Sequence, residues 1–139
     1  MAETTTPSRI QPNKAPRSAR INAARLLLAV AALGAAAAAI GDISTVQAAG
    51  EQTLMVETWR LCGFVLCAGL FAVLAIRPTA HRGVWEMVIV NKLALSIAAA
   101  CFIAHGGITG AASALTWDGL LAALLISGYL LVRGWRNAG

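Results

Sequence analysis

The stretch LMVETWRLCGFVLCAGLFAVLAI, Leu54 to Ile76, decides how the rest of the chain is read. About 20 apolar residues suffice for a helix to cross a bilayer, and this run meets that length while holding Glu57 and Arg60 one helical turn apart. A charged group near the centre of a membrane helix costs about 2.5 to 3.5 kcal/mol on insertion scales. Both charges therefore need shelter from other parts of the chain.

Composition supports a membrane reading. Of 139 residues, 58% are hydrophobic and 12% charged, whereas about a quarter are charged in soluble domains. The mean hydropathy is +0.71, more apolar surface than a soluble core of this size can hide. A net charge of +5 would suit nucleic acid only if the basic residues gathered on one folded face. Here they flank apolar runs, so the lipid bilayer is the expected partner and nucleic acid is not. Cys62, Cys67 and Cys101 all lie inside apolar segments, with no C-x-x-C and no histidine at metal-ligand spacing. No metal and no cofactor is expected. The cysteines read as small apolar residues, with a redox role for Cys62 or Cys67 as the alternative.

Residues 1–20, MAETTTPSRIQPNKAPRSAR, are proline-rich, polar and basic, and offer too little apolar surface to offset the entropy of ordering. They read as a disordered basic tail before a transmembrane domain of residues 21–139. Four helices are expected there, over about 21–43, 54–76, 84–104 and 116–133. The first has a middle made almost wholly of Ala and Gly, which lets neighbouring helices approach closely. A competing reading takes residues 1–48 as a secretory signal, with Val46-Gln47-Ala48 as a small-residue cleavage site. The second helix ends at Arg77-Pro78, where proline stops a helix. In the third, Trp85 suits a membrane interface, and Glu86 reads as a first-turn acid and an exposed i, i+4 partner of Arg82. Lys92 and Asn91 lie near its middle. Lys92 shares a face with Trp85, Val88 and Ser96, and it is too deep to reach the interface, so it needs a partner on another helix. The stretch HGGITGAASAL, His105 to Leu115, reads as a loop with no phosphate-cradle pattern. Asp118 would then complement the N-terminus of the fourth helix, and tryptophans at its two ends would form an aromatic belt.

Orientation follows from the positive-inside rule. Arg9, Lys14, Arg17, Arg20, Arg25, Arg77, Arg82, Arg133 and Arg136 flank one side, and the two remaining loops carry no Lys or Arg. Both termini are expected in the cytoplasm. Glu57 and Arg60 then enter from the outside, Lys92 approaches the midplane, and Asp42, His105 and Asp118 border the external mouth. The candidate ligand or pathway residues are thus Glu57, Arg60, Lys92, Asn91, His105, Asp118 and Asp42, around an outward-facing polar pocket. The Glu57–Arg60 pair has two readings: self-neutralisation that fixes helix rotation, or a fixed cation for an anionic or polar ligand.

A helix opening with Arg60-Leu61-Cys62-Gly63, within a four-helix chain of this length, resembles the DoxX-like group of small bacterial membrane proteins. The resemblance covers the four-helix plan and this short motif. It implies a multi-pass location in the bacterial inner (plasma) membrane and, for some members, association with membrane redox complexes. No redox centre stands here to carry that association onto particular residues. Small multidrug transporters are less similar, because the acidic residue of their first helix has no counterpart between Leu26 and Ile40.

The expectation is an all-α four-helix transmembrane bundle. Its function reads as a binding or accessory component of a membrane assembly, as a homo-oligomer or with other membrane subunits. The alternatives are a dimeric small-solute or ion transporter using Glu57, Arg60 and Lys92, and an intramembrane enzyme on a lipid-like substrate, the reading that only spacing supports.

Overall fold

Each apolar segment is helical, and three of the four helices start well before the apolar run that marks them in the sequence. The computed structural model describes residues 17–133, as α1 (Arg17–Ala48), α2 (Glu51–Ile76), α3 (Arg82–Ala104) and α4 (Ala111–Arg133). All four are long and apolar enough to cross a membrane. Of the expected tail, residues 17–20 form the first turn of α1. Its remainder, with Arg9 and Lys14, lies outside the described residues, as do Trp135 and Arg136.

The chain turns with little material. Ala49 and Gly50 join α1 to α2, and Gly50 caps α2 from an extended conformation. Residues 105–110 join α3 to α4, and there Gly106 and Gly107 take φ of +115° and +77°, a region L side chains avoid. The loop ends at Gly110, so α4 begins at Ala111 and not near residue 116. The segment Ala111 to Leu115, rich in small residues and preceded by Gly110, is helix. Asp118 consequently lies about 10 Å inside α4 at 1.5 Å per residue, and the first turn of α4 holds no acidic residue. A role at the helix N-terminus is therefore ruled out for Asp118. The first turn of α3 likewise holds no acidic residue, so Glu86 does not complement that terminus, although its pairing with Arg82 does form at 2.8 Å.

The helices pack as two hairpins, α1 with α2 and α3 with α4, joined mainly along α1 and α4. The spatial order is α2, α1, α4, α3, and α2 scarcely touches α3 although the two are consecutive. On each helix the inward positions step by three and four residues, the spacing of a narrow packing seam. On α1 the seam is Ala24, Leu28, Ala31, Ala35, Ala39 and Asp42; on α3 it is Trp85, Val88, Lys92, Ser96 and Ala99. Most of the α1 seam is alanine, while Leu26, Val30, Leu33 and Ile40 point outward. Small residues inside and large apolar residues outside suit a helix that packs closely against neighbours and faces lipid elsewhere.

Along its axis the core has two unlike halves. Near the chain termini and the 77–81 loop it is apolar: Leu28, Phe71, Leu74, Trp85 and Leu125 are each fully buried. Trp85 is only 1% exposed, so it is a core residue and not an interface anchor. Its indole N–H donates to the Pro78 carbonyl at 2.9 Å, which satisfies the one polar atom that burial would otherwise leave unpaired. Of the tryptophans expected at the two ends of the fourth helix, Trp117 is 64% exposed; Trp59 on α2 is exposed as well, at 77%. In the other half, towards the 49–50 turn and the 105–110 loop, the same seams carry charge.

Candidate functional site

The charged half of the core is built from two groups, one per hairpin. In the first, Asp42 comes from the last third of α1, and Glu57 and Arg60 from the first half of α2. The two-residue turn folds these helices back on each other, so residues about seven to ten positions from it face across the hairpin. Asp42 grips the guanidinium from the side: Arg60 Nε donates to Oδ1 and Oδ2 at 3.2 Å each, and Arg60 Nη2 donates to Oδ1 at 2.5 Å. This two-nitrogen fork is the strong form of an arginine–carboxylate pair. Asp42 is buried, its side chain 9% exposed, whereas Arg60 remains 45% exposed.

Glu57 is the second anion on the same cation. Its Oε2 lies 2.6 Å from Arg60 Nη2, yet it is buried without accepting a well-directed hydrogen bond. Asp42 has taken the better donor directions, so Glu57 holds a charge contact and little more. Two carboxylates on one guanidinium leave this group one negative charge in excess.

The second group is Lys92 of α3 with Asp118 of α4. Lys92 Nζ donates to Asp118 Oδ1 at 2.7 Å, and the two side chains are 6% and 17% exposed. The inter-helix partner that the depth of Lys92 demands is thus Asp118. One residue turn further on, Ser96 Oγ donates back to the Lys92 carbonyl at 2.8 Å, so its hydroxyl adds no donor to the pair. An ammonium has three N–H donors, and one of them is used here. Glycine at 119 leaves room beside Ser96: a Cβ there would stand 3.9 Å from Ser96 Oγ.

Of the seven residues that the sequence nominates, five fall into these two groups and two do not. Asn91 is exposed on the outer face of α3. His105 is exposed at the C-terminus of α3, with Nδ1 2.8 Å from the Cys101 carbonyl. Arg60 has no ion pair with Asp118, nor Lys92 with Asp42 or Glu57, so the two groups are separate ion-pair clusters, one in each hairpin. Among the described residues no cluster of His, Cys, Asp and Glu is arranged to hold a metal ion. Cys62, Cys67 and Cys101 are free thiols, and Cys62 and Cys101 are exposed.

One open cavity, of about 580 Å³, lies at the turn of the first hairpin. Its polar lining is Ser44 and Thr45 from α1 and Thr53 and Glu57 from α2, with Gly50 and Ala48 at the turn itself. Sequence reasoning placed Glu57 at a mouth of this kind but passed over the three hydroxyls. Their spacing, Ser44-Thr45 and then Thr53 on either side of Ala49-Gly50, was the available signal.

No protein-family model matches the chain, and no curated protein or solved structure matches it either.

Proposed function

We propose that this chain is a small multi-pass inner-membrane protein that acts as a binding or accessory component of a membrane assembly. In this reading its termini are cytoplasmic and the end bearing the 49–50 turn and the 105–110 loop faces outward. The observation that carries the reading is the division of the core. Polar groups occupy one half only, and beyond them Trp85, Phe71, Leu28, Leu74 and Leu125 fill the bundle. A polar ligand entering beside Glu57 or Lys92 therefore meets a closed apolar end, which suits capture better than passage. A transporter would need that end to open, and an acid–base role for Glu57 would need it released from Arg60.

The side of the bundle between α2 and α3 supports the assembly part, since two consecutive helices that scarcely pack leave a flank for another subunit. Two measurements test the proposal. With Cys62, Cys67 and Cys101 replaced by Ala, single cysteines at Thr45 and Ile108 should react with a membrane-impermeant maleimide added outside intact cells, and one at Thr79 should not. Native mass spectrometry from mild detergent should show the chain with a second copy or another membrane subunit. Labelling of Thr79 alone would reverse the orientation, and a strict monomer at native expression would remove the assembly role. Flux of small ions through reconstituted protein, abolished by Lys92→Met, would replace the proposal with the transporter reading.

A further inference from the structure

The cavity at the α1–α2 turn has a chemical bias that its shape alone does not reveal. Ser44 Oγ donates its hydrogen to the Gly41 carbonyl at 3.0 Å, and Thr53 Oγ1 donates its own to the Gly50 carbonyl at 3.3 Å. A hydroxyl has one hydrogen and two lone pairs, so two of the three hydroxyls, those of Ser44 and Thr53, present the cavity with acceptors only, and Thr45 adds a hydroxyl that can accept as well. Glu57 adds a carboxylate. The last turn of α1, which reaches the cavity through Thr45 and Ala48, contains no basic residue. Its terminal carbonyls thus keep the partial negative charge of a helix C-terminus. The positive end of α2 lies nearby, but Glu51 stands in its first turn and offsets it. The nearest full cation, Arg60, is engaged by both Asp42 and Glu57.

We propose that this cavity binds a primary ammonium group. Four features select that class. The Asp42–Glu57–Arg60 group has one negative charge in excess, and a carboxylate that shares its one cation with a second acid and whose Oε2 is buried is under-compensated in a low-dielectric setting, so a cation is favoured over a neutral or anionic guest. Acceptor-only hydroxyls flanking a carboxylate match an N–H donor set of three, as an –NH3+ group presents. A quaternary ammonium has no N–H and is recognised by aromatic faces, and no aromatic residue lines this cavity. A divalent metal would want about six or more oxygen ligands with several carboxylates, whereas here one carboxylate lines the cavity and shares its charge with Arg60. The volume of about 580 Å³ falls in the range of small-molecule sites, about 300 to 1,000 Å³, and so admits an organic amine. Glu57 lies about 9 Å from the start of α2, counting six residues at 1.5 Å. At that depth the ammonium can come from a phosphatidylethanolamine headgroup or from a free amine.

The inference deepens the outward-facing binding role proposed above, and binding to purified protein is read without reference to sidedness or to partners, so the two can fail separately. The test uses the full chain in phosphatidylcholine nanodiscs, titrated with n-butylammonium, tetramethylammonium and sodium chloride and followed by ligand-detected NMR and thermal shift. Butylammonium should bind at least tenfold more tightly than tetramethylammonium. Glu57→Gln should weaken it tenfold or more, and Thr53→Val severalfold, while Glu86→Gln, on α3 at the other end of the bundle, should leave it unchanged. If Glu57→Gln fails to fold, Thr53→Val and the cavity-filling Ala48→Leu serve in its place. Equal binding of the two ammonium ions, or butylammonium binding untouched by these variants, overturns the proposal. So does absence of butylammonium binding at neutral pH. Discs containing phosphatidylethanolamine separate the sources: weakened butylammonium binding there identifies the lipid headgroup as the occupant, and unchanged binding identifies a free amine. Both results carry the ammonium assignment.

Discussion

Removing the ammonium of Lys92 while Asp118 stays leaves a carboxylate, 17% exposed, between α3 and α4 with no cation beside it. Breaking a buried ion pair from one side costs about 3 to 5 kcal/mol, whereas replacing both partners by apolar groups is often neutral or better. Lys92→Met should therefore be strongly destabilising, and Lys92→Met with Asp118→Leu should recover most of the loss. Denaturant titration of the purified protein in mild detergent measures both. A double variant no more stable than the single one would mean that the pair is not the reason for either residue. The first group should behave differently, because its arginine is 45% exposed and water can reach it. Arg60→Lys keeps the charge but loses the two-nitrogen fork onto Asp42. The same titration should show Arg60→Lys milder than Lys92→Met, although it alters the more elaborate contact.

At the scale of an element, α3 and α4 are held in register by a large residue seated on a small one. A Cβ placed on Gly128 would stand 3.1 Å from Trp85 Cη2, closer than side-chain carbons ordinarily come. The indole also leans on Tyr129, with ring centroids 5.8 Å apart at 45°, and Tyr129 in turn donates to Glu86 at 2.9 Å. Gly128→Ala should thus shift the indole and cost about 1 kcal/mol, with Gly128→Leu at the top of the usual overpacking range of about 1 to 3 kcal/mol or beyond. Trp85 fluorescence and thermal midpoint, read together, check this: an unchanged midpoint in Gly128→Leu would show that the seat is slack. The sequence could not announce this seat. Trp85 follows a loop with Arg82 and looks like an interface anchor, and only the fold shows Gly128 opposite it. The start of α4 was illegible for a related reason. Ala111 to Leu115 continues the small residues of the glycine-rich stretch before it, but in a helix packed against α3 such residues permit close approach. Reading them as loop moved Asp118 to a helix end and hid the partner of Lys92.

For the whole molecule, the number of helices and their apolar character were legible because bilayer length and hydropathy are local properties of the chain. The order α2, α1, α4, α3 was not, since it depends on which seams fit, and a seam of Ala24, Ala31, Ala35 and Ala39 specifies closeness without naming a neighbour. The convergence of charge was half legible: the Glu57–Arg60 pair and the need of Lys92 for a partner could be read from spacing, whereas Asp42 closing on Arg60 required the turn at Ala49-Gly50 to bring α1 back against α2. What emerges is a molecule of two hairpins, each pairing its own cation, Arg60 in the first and Lys92 in the second. They are joined mainly by the apolar α1–α4 contact and the short 77–81 loop, with a slight α2–α3 contact beside them. Such hairpins should not need the covalent link. Expressed together as two fragments divided between Thr79 and Ala80, they should insert separately and associate, so that a tag on one retrieves the other from mild detergent. The division leaves Pro78 on the first fragment, and the hydrogen bond from Trp85 to its carbonyl then becomes an intermolecular contact worth about 1 kcal/mol. Trp85→Phe, which removes the donor, should lower the yield of retrieved partner from the divided protein more than it lowers the stability of the intact one. Fragments that insert but never associate would show that the loop, and not the α1–α4 seam, holds the two halves of the bundle together.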